Sequence, residues 1–498
     1  MKQPDTLAED KGANFRKKTI KGIMWTLTER FGNYGVSYIL TIYLARLLSP
    51  KDYGLIGLTT AFFTIATVII GGGFREVLIR KRETSSADYN TVFYTNAAIS
   101  ICIYAAIYFF AAPLMAKFYN EPQLTKLIRL LGLTLIFNAA SSIQDIDLRR
   151  NMRFNLLAFI TLPAGILSGI AAILLALRGF EVMSLAIKML LFSFLTMILY
   201  WCLNRWRPSF EFNKKSFKEL SGVGSHFLMA AIIYALYTGI SPLVIGKVFS
   251  AQVLGYYMFS LIVINVTVNC IIEAVQQVSF PVFSKIQDDV GRLRNGYKEI
   301  IQNTTMIVFP LMVIMVLMAE PLFKLFLTDK WLPAIPFLKI LCITGALLPL
   351  FAINLNVILV KGAPGLFLKI RLIDYLTITV MLFALIPFGL KTFLIGQVFH
   401  SAAMILVINF SNSRLISYPI WTQLLDIAPI ALSSAVLGLV MYSLITFWGD
   451  INIAQVFYLL TAALIFYVLT LRIFKVEAAA NLLGIVGSKL RFGTGSKI

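Results

Sequence analysis

Apolar runs of about 18–25 residues recur from one end of this 498-residue chain to the other. A helix of that length crosses roughly 30 Å of hydrocarbon, and inside a membrane only helices or closed barrels satisfy their own backbone polar groups. Only 14% of the residues are charged, whereas a soluble domain carries about 25%. The sequence therefore predicts an all-α polytopic membrane protein.

The apolar runs divide into fourteen predicted spans, several of which end at Pro or Gly turn signals. Their predicted limits are 22–48, 54–79, 91–117, 124–147, 154–177, 181–203, 221–248, 253–282, 299–327, 334–360, 366–388, 391–412, 424–448 and 454–474.

The basic residues predict how the chain is oriented. Most of the 44 Lys and Arg residues fall in loops on the side that holds the N-terminus, so both termini are expected in the cytoplasm. This bias accounts for the net charge of +20 without a nucleic-acid partner. The N-terminus is polar and shows no cleavable signal peptide.

Several function classes are not expected from the sequence. The outer loops are short and no Walker motif occurs, so neither an active site outside the membrane nor ATP hydrolysis is predicted. The four cysteines lie in or beside apolar runs without metal-ligand spacing, so no metal site is predicted. We expect a protein that is not an enzyme.

An internal repeat predicts two similar halves. Arg46, Ser49 and Gly54 at the end of the first span recur at the same spacing in a second segment near the end of the seventh, as Lys247, Ser250 and Gly255. Six spans separate the copies, so the halves share one orientation, as in transporters built from parallel repeats. The predicted organisation is an N-terminal six-helix lobe (1–204), a cytoplasmic linker (205–220), a C-terminal six-helix lobe (221–413) and two extra spans with a tail (414–498).

Polar side chains follow one face of the first span at steps of three and four residues. Such a stripe cannot face lipid, so it faces protein or a water-filled cavity. Ionisable residues at membrane depth are functional candidates by default, although hydrogen bonding or ion pairing between helices would also explain them. The stripe consists of Thr26, Arg30, Asn33, Ser37 and Thr41, while Tyr34 and Tyr38 lie beside it and Glu29 flanks it.

Other spans carry comparable polar or charged groups. Tyr234 and Tyr237 lie in the seventh span, Asn265, Asn269 and Glu273 in the eighth, Lys188 in the sixth and Asp374 in the eleventh, while Arg75 follows three glycines at the end of the second. Cations and amides hold phosphate oxygens, and tyrosine rings pack on sugars. A phosphate-bearing, lipid-linked oligosaccharide therefore fits these groups better than a simple ion or a cationic drug.

We therefore predict two sets of site residues. Substrate-binding residues are Arg30, Lys188, Arg75, Asn33, Tyr34, Ser37, Tyr38, Tyr234, Tyr237, Asn265 and Asn269, and ion-coupling residues are Glu29, Glu273 and Asp374.

Four segments resemble the Wzx-type branch of the multidrug/oligosaccharidyl-lipid/polysaccharide (MOP) exporter superfamily, which handles lipopolysaccharide, colanic acid and teichuronic acid. They are LARLLSPKDYGLIGL (44–58), FREVLIRKRETSSADYNTVFYTN (74–96), PLMAKFYNEPQLTKLIRLLGLTLIFNAASSIQDIDLRRNMRF (113–154) and FPLMVIMVLMAEPLFKLFLTDKWLPAIPFLKIL (309–341). The resemblance spans roughly residues 15–415, and 113–154 is its most specific part. One departure is Arg75-Glu76, where the family pattern is small or apolar.

The resemblance implies a MATE-like fold, with two lobes around a central cavity. It implies flipping of an undecaprenyl-pyrophosphate-linked oligosaccharide to the periplasmic leaflet of the inner membrane. No cofactor is implied beyond a proton or sodium gradient. The implied partners are membrane lipids, a polysaccharide polymerase and chain-length proteins.

Three alternatives stay open at this point. They are a cation-coupled multidrug exporter, a lipid II flippase and a non-transporting scaffold for a glycan-assembly complex.

Overall fold

The computed structural model describes residues 32, 35–81, 83–449 and 453–474. Within these ranges the chain is helical and contains no strand, and thirteen helices are long and apolar enough to cross a membrane. They correspond to the second to fourteenth predicted spans. A shorter apolar helix, α1 (Gly35–Leu47), represents the described part of the first. The prediction of an all-α polytopic fold is confirmed.

The described residues form two compact units, divided between Met258 and Phe259. Helix α10 crosses this division. The first unit contains α1, α2 (Pro50–Gly71), α3 (Phe74–Arg80), α4 (Ser86–Ala106), α5 (Ala112–Tyr119), α6 (Gln123–Arg150), α7 (Phe154–Leu177), α8 (Glu181–Leu203), α9 (Lys214–Val248) and the beginning of α10 (Ala251–Ile264). The second contains α11 (Cys270–Lys285), α12 (Val290–Phe326), α13 (Ile335–Val360), α14 (Pro364–Leu385), α15 (Leu390–Ile416), α16 (Ile420–Trp448) and α17 (Ile453–Ile473).

Two short π-helical turns join neighbouring helices. Ile107–Ala111 connects α4 to α5, and Asn265–Asn269 connects α10 to α11. A π turn leaves the regular ladder of backbone bonds, and such turns are frequent at functional sites. In the first of them, the Arg129 side chain donates its Nε–H to the carbonyl oxygen of Tyr108 at 3.1 Å and so provides a partner for that backbone group.

The repeated serines both begin helices. The Ser49 hydroxyl accepts a hydrogen bond from the Asp52 amide at 3.3 Å, while the Asp52 carboxylate accepts one from the Ser49 amide at 2.8 Å. This reciprocal capping box starts α2, with Pro50 at the first helical position. The Ser250 hydroxyl accepts from the Val253 amide at 3.2 Å and starts α10 in the same way.

The repeated glycines lie against each other. A Cβ on Gly54 would lie 1.7 Å from the carbonyl oxygen of Ala251, and one on Gly255 would lie 1.7 Å from that of Pro50. These contacts are reciprocal, because Pro50 and Ala251 occupy equivalent positions in the two repeat segments. Such an arrangement is typical of a local two-fold axis between like elements. Glycine alone permits this approach of α2 to α10.

A glycine turn at the other end of α2 positions Arg75. Gly72 and Gly73 have φ of 55° and 72°, which L-residues with a side chain rarely adopt, and α3 begins directly after them. The apolar face of α3, with Phe74 and Leu78, packs in one cluster with Ile143 of α6. The turn and this packing together direct Arg75 toward α6.

Residues 205–213 of the predicted linker contain no helix, and Lys214–Leu220 form the first turns of α9. The division into a 221–413 lobe and two extra spans stays a prediction. Within the second unit, α16 and α17 pack on α12 through a cluster of buried apolar residues that includes Met306, Leu437 and Leu459.

Candidate functional site

A cavity of about 790 Å³ lies among the helices of the first unit. Helices α1, α2, α6, α7 and α8 line it. Its polar lining consists of Ser37, Thr60, Thr64, Thr67, Thr134, Asn138, Thr161, Ser168, Lys188 and Ser193. Hydroxyl groups at membrane depth are thus gathered around a chamber instead of facing lipid, as the absence of water in hydrocarbon requires.

Many of these hydroxyls offer the cavity an acceptor. The Thr64, Thr134 and Thr161 hydroxyls donate to backbone carbonyl oxygens of their own helices at 2.9, 2.6 and 3.0 Å. Each hydroxyl has a single proton, so its remaining lone pairs can only accept. The lining therefore suits a ligand rich in hydrogen-bond donors, such as a sugar.

Lys188 is the single ionisable side chain in the described lining of this cavity. It is half-buried on α8, and among the described residues no carboxylate pairs with it. An ammonium group at membrane depth is costly unless an anion or a polar cavity compensates it. Its position in a hydroxyl-lined chamber therefore favours an anionic partner supplied by a ligand.

A second cavity of about 620 Å³ adjoins the first. The two share several lining residues, among them Thr67, Asn138 and Thr161. The second extends toward the glycine turn after α2 and is also lined by Arg75, Glu76, Asp145, Arg149 and Tyr200. We call this end of the cavity, defined by those five residues, the charged mouth.

Asp145 joins three other side chains of the charged mouth. Its Oδ2 lies 3.1 Å from Arg75 Nη2, and its Oδ1 lies 2.9 Å from Arg149 Nε. The Tyr200 hydroxyl donates to Oδ1 at 2.8 Å. One carboxylate thus holds two guanidinium groups side by side, which is the arrangement that binds phosphate oxygens bidentately. Glu76 balances the charge of the second arginine, so the five residues of the charged mouth carry no net formal charge.

Ion pairs outside the cavity hold the segment that carries Arg75. Lys81, which follows α3, lies 3.1 Å from Asp88 Oδ2 and 3.2 Å from Glu219 Oε1. Burial alone would lower the pKa of Lys81, but the hydrogen bonds to both carboxylates raise it above its ordinary value. Lys81 therefore stays cationic and fastens α3 to α4 and α9.

The structure brings together three of the predicted substrate residues. Ser37 and Lys188 line the first cavity, and Arg75 lies in the charged mouth. Tyr38 is half-buried and belongs to neither described lining. The Tyr234 and Tyr237 rings lie 6.4 Å apart on α9 and also lie outside both linings. Glu29, Arg30, Asn33 and Tyr34 lie outside the described residues.

The remaining predicted residues belong to the second unit. Asn269 Nδ2 donates to Asn265 Oδ1 at 3.2 Å, so this pair bridges the π turn between α10 and α11. Glu273 is half-buried near the start of α11 and has an interaction partner. Asp374 is 7% exposed on α14. Its carboxylate lies 3.8 Å from both Arg371 and His400.

Sequence reasoning missed the polar face of α6. Thr134, Asn138, Ser141 and Asp145 follow one another at steps of four, three and four residues and line the two cavities. The signal was present, because these steps place all four on one helical face. Arg149 is one of the basic loop residues counted in predicting the orientation of the chain. Its spacing of four residues from Asp145 also permits an ion pair on a helix.

The comparisons with known proteins agree with this architecture. The family model "Polysaccharide biosynthesis protein" matches residues 43–336, which is more than half of the chain. The chain is 25% identical to the teichuronic acid biosynthesis protein TuaB of Bacillus subtilis over 353 residues, covering 70% of this chain and 73% of TuaB. It is 25% identical to the lipopolysaccharide biosynthesis protein WzxC of Escherichia coli over 344 residues, covering 67% of this chain and 68% of WzxC.

Among solved structures, the lipid II flippase MurJ in an inward closed conformation superposes with a TM-score of 0.70. The match covers 95% of this chain and all of MurJ at 14% identity, so it bears on the fold alone. The fold agrees with the resemblance to MOP exporters. The match at residues 43–336 includes α2 to α8, which provide most of the lining of the cavities and all of the charged mouth. The chain belongs to the polysaccharide biosynthesis protein family.

Proposed function

We propose that this chain is a flippase for an undecaprenyl-pyrophosphate-linked oligosaccharide, which it moves from the cytoplasmic to the periplasmic leaflet by alternating access. The observation that carries the proposal is the pair of adjoining cavities, which are lined by hydroxyls and cations and enclosed by helices long and apolar enough to span a membrane. A polar head group can cross hydrocarbon only inside such a chamber, whereas the isoprenoid tail is apolar and stays in lipid. The named activities of TuaB and WzxC support the same class of cargo.

The two parts of the cavity suit two parts of that cargo. The arginines of the charged mouth, Arg75 and Arg149, would bind the diphosphate in place of the Asp145 carboxylate. The hydroxyls deeper in the chamber would accept hydrogen bonds from the sugars. Arg30, on the predicted first span, is a further cation for the head group.

The basic loops support an orientation with both termini in the cytoplasm of the bacterial cell. In that orientation the charged mouth faces the cytoplasm, where the lipid-linked sugar is assembled. A polysaccharide polymerase and chain-length proteins would then act on the product at the opposite face.

Replacing both arginines, in an Arg75→Gln/Arg149→Gln variant, should reduce flipping at least tenfold, because each lost charge-assisted bond to phosphate contributes about 1.5–3 kcal/mol. The assay follows a synthetic lipid-diphosphate oligosaccharide across proteoliposomes, in which flipped sugar becomes accessible to an added glycosidase. Arg178→Gln is the matched control, since Arg178 is exposed between α7 and α8 and lines neither described cavity.

The proposal fails if the wild-type protein moves no lipid-linked oligosaccharide, or if the double variant and the control flip it at equal rates. Movement of a cationic drug instead would favour a multidrug exporter. Normal glycan export by cells that carry the double variant would favour a scaffold, provided that transport-deficient control cells measured in parallel export no glycan.

We also propose that a proton or sodium ion drives the cycle, with Asp374 as its binding group. The Asp374 carboxylate is buried, yet Arg371 and His400 both stand 3.8 Å away, beyond hydrogen-bonding distance. The Arg371 guanidinium lies 5.0 Å from the centre of the Phe351 ring, and His400 Nε2 lies 2.7 Å from the Thr377 hydroxyl. The carboxylate is thus incompletely compensated, which suits a site that takes up a cation. Glu29 and Glu273 stay predicted coupling residues.

Asp374→Asn should make the rate of flipping independent of an imposed proton or sodium gradient, because an amide neither binds a proton nor carries the charge that attracts sodium. The measurement compares proteoliposomes with and without each gradient. Asp329→Asn serves as control, as Asp329 is an exposed carboxylate of the same unit. If the Asp374→Asn variant responds to both gradients as the wild type does, Asp374 is not the coupling residue.

A further inference from the structure

Lys188 and the arginines of the charged mouth are too far apart to hold one diphosphate together. Lys188 and Tyr200 both lie on the uninterrupted helix α8, twelve residues apart, so their Cα atoms are separated by about 18 Å along its axis. The Cβ atoms of a helix all tilt toward its N-terminus, so the two side chains also start about this far apart. Tyr200 contacts Asp145, the residue that holds Arg75 and Arg149. Lys188 therefore lies far beyond the charged mouth.

The two regions also differ in what they can bind. A diphosphate carries more than one negative charge and several acceptor oxygens, which two side-by-side guanidinium groups match. Lys188 is a single compact charge, and its described neighbours in the lining are hydroxyls, one amide and apolar groups. This set matches a ligand with one negative charge surrounded by hydroxyls. A carboxylate on a sugar has that chemistry.

We infer that the cargo is acidic in its sugar part: it carries a carboxylated sugar, distant from the diphosphate, that pairs with Lys188. This inference rests on the proposed flippase function and specifies the substrate class of the same cavity. It makes Lys188 the residue that selects acidic over neutral oligosaccharides. The separation along α8 requires several sugar residues between the two anionic groups, so the cargo is an oligosaccharide and not a single sugar.

The test uses three synthetic lipid diphosphates and the full-length protein in nanodiscs. The first carries an oligosaccharide that ends in glucuronic acid, the second the same oligosaccharide ending in glucose, and the third no sugar. We expect the wild-type protein to bind the acidic probe about tenfold or more tightly than the neutral one, as one charge-assisted contact predicts. A fourth lipid diphosphate serves as a control: with its glucuronic acid next to the diphosphate, it should lose this preference.

Three variants assign the preference to Lys188. Lys188→Gln should bring the ratio of the two affinities close to one, and Lys188→Arg should keep the preference for acid. Lys126→Gln is the matched control, because Lys126 is exposed on α6 outside both described linings and the substitution should leave the ratio as in the wild type. Equal thermal stability of the variants shows that they are folded.

The outcomes separate the inference from the proposed function. Equal wild-type affinity for the acidic and neutral probes overturns the inference, as does a preference that survives Lys188→Gln. If Lys188→Gln weakens all three probes by the same factor, Lys188 is a second station for the diphosphate, and the flippase proposal stands without the acidic sugar. If neither oligosaccharide probe binds or is flipped, the proposed function itself is wrong.

Discussion

Gly54→Ala is expected to destabilise the protein by about 1–3 kcal/mol or more and to lower the amount of folded protein in the membrane, because the added methyl group overpacks a tight contact. Its Cβ would lie 1.7 Å from the carbonyl oxygen and 2.7 Å from the carbonyl carbon of Ala251. These are backbone atoms of another helix and cannot rotate away, so α2 and α10 must separate. The loss exceeds the roughly 0.5–1 kcal/mol that alanine gains over glycine inside a helix.

The measurement is thermal unfolding of the purified variants in one detergent, together with their levels in the membrane. Gly255→Ala should behave like Gly54→Ala, since its Cβ would meet the carbonyl oxygen of Pro50 at the same 1.7 Å. Gly222→Ala is the control, because nothing lies within 4 Å of its Cβ position on α9. It should be as stable as the wild type or slightly more so. Wild-type stability of Gly54→Ala would contradict the close approach of the two helices.

The second large effect is expected at Asn354, which is fully buried at the centre of a polar network in the second unit. Its side-chain oxygen accepts hydrogen bonds from the Tyr297 hydroxyl and from Asn412 Nδ2, the latter at 2.7 Å. Gln423 Nε2 donates to the Tyr297 hydroxyl at 3.1 Å and so connects α16 to α12. The network joins α12, α13, α15 and α16.

Asn354→Ala should lower the free energy of unfolding by about 1–3 kcal/mol, because the buried Tyr297 hydroxyl loses its hydrogen-bond acceptor. The cavity left by the smaller side chain should lower it further. Asn356→Ala is a matched control two residues along α13. Asn356 is half-buried and makes no hydrogen bond with other described residues, so its replacement should change stability by less than about 0.5 kcal/mol. Equal unfolding temperatures for the two variants would show that the network contributes nothing.

The membrane spans could be predicted to within several residues because the thickness of hydrocarbon sets the length of every apolar run. The predicted limits 154–177 and 181–203 coincide with α7 and α8. The predicted start at 221, by contrast, lies seven residues inside α9, since the charged first turns Lys214–Leu220 are helical without being apolar. Hydropathy identifies the buried part of a helix and not its extension beyond the membrane.

The candidate site was predicted less completely. Lys188, Ser37 and Arg75 were identified as polar groups at unusual positions, and the structure places them in the linings of two adjoining cavities. The polar face of α6 has the same spacing as the one predicted on the first span and was missed. Periodicity identifies a polar face, but it does not say which other helix or cavity that face meets.

The sequence by itself determined the membrane-spanning helical class, the approximate limits of the spans and the repeat in which Gly54 and Gly255 are equivalent, because local hydropathy and spacing encode them. Only the tertiary structure decided that Asp145 holds Arg75 and Arg149, and that Lys188 has no carboxylate partner among the described residues. Those relations join residues far apart in the chain through the packing of α3, α6 and α8. Charge pairing depends on distance in space, which the order of residues along the chain does not specify.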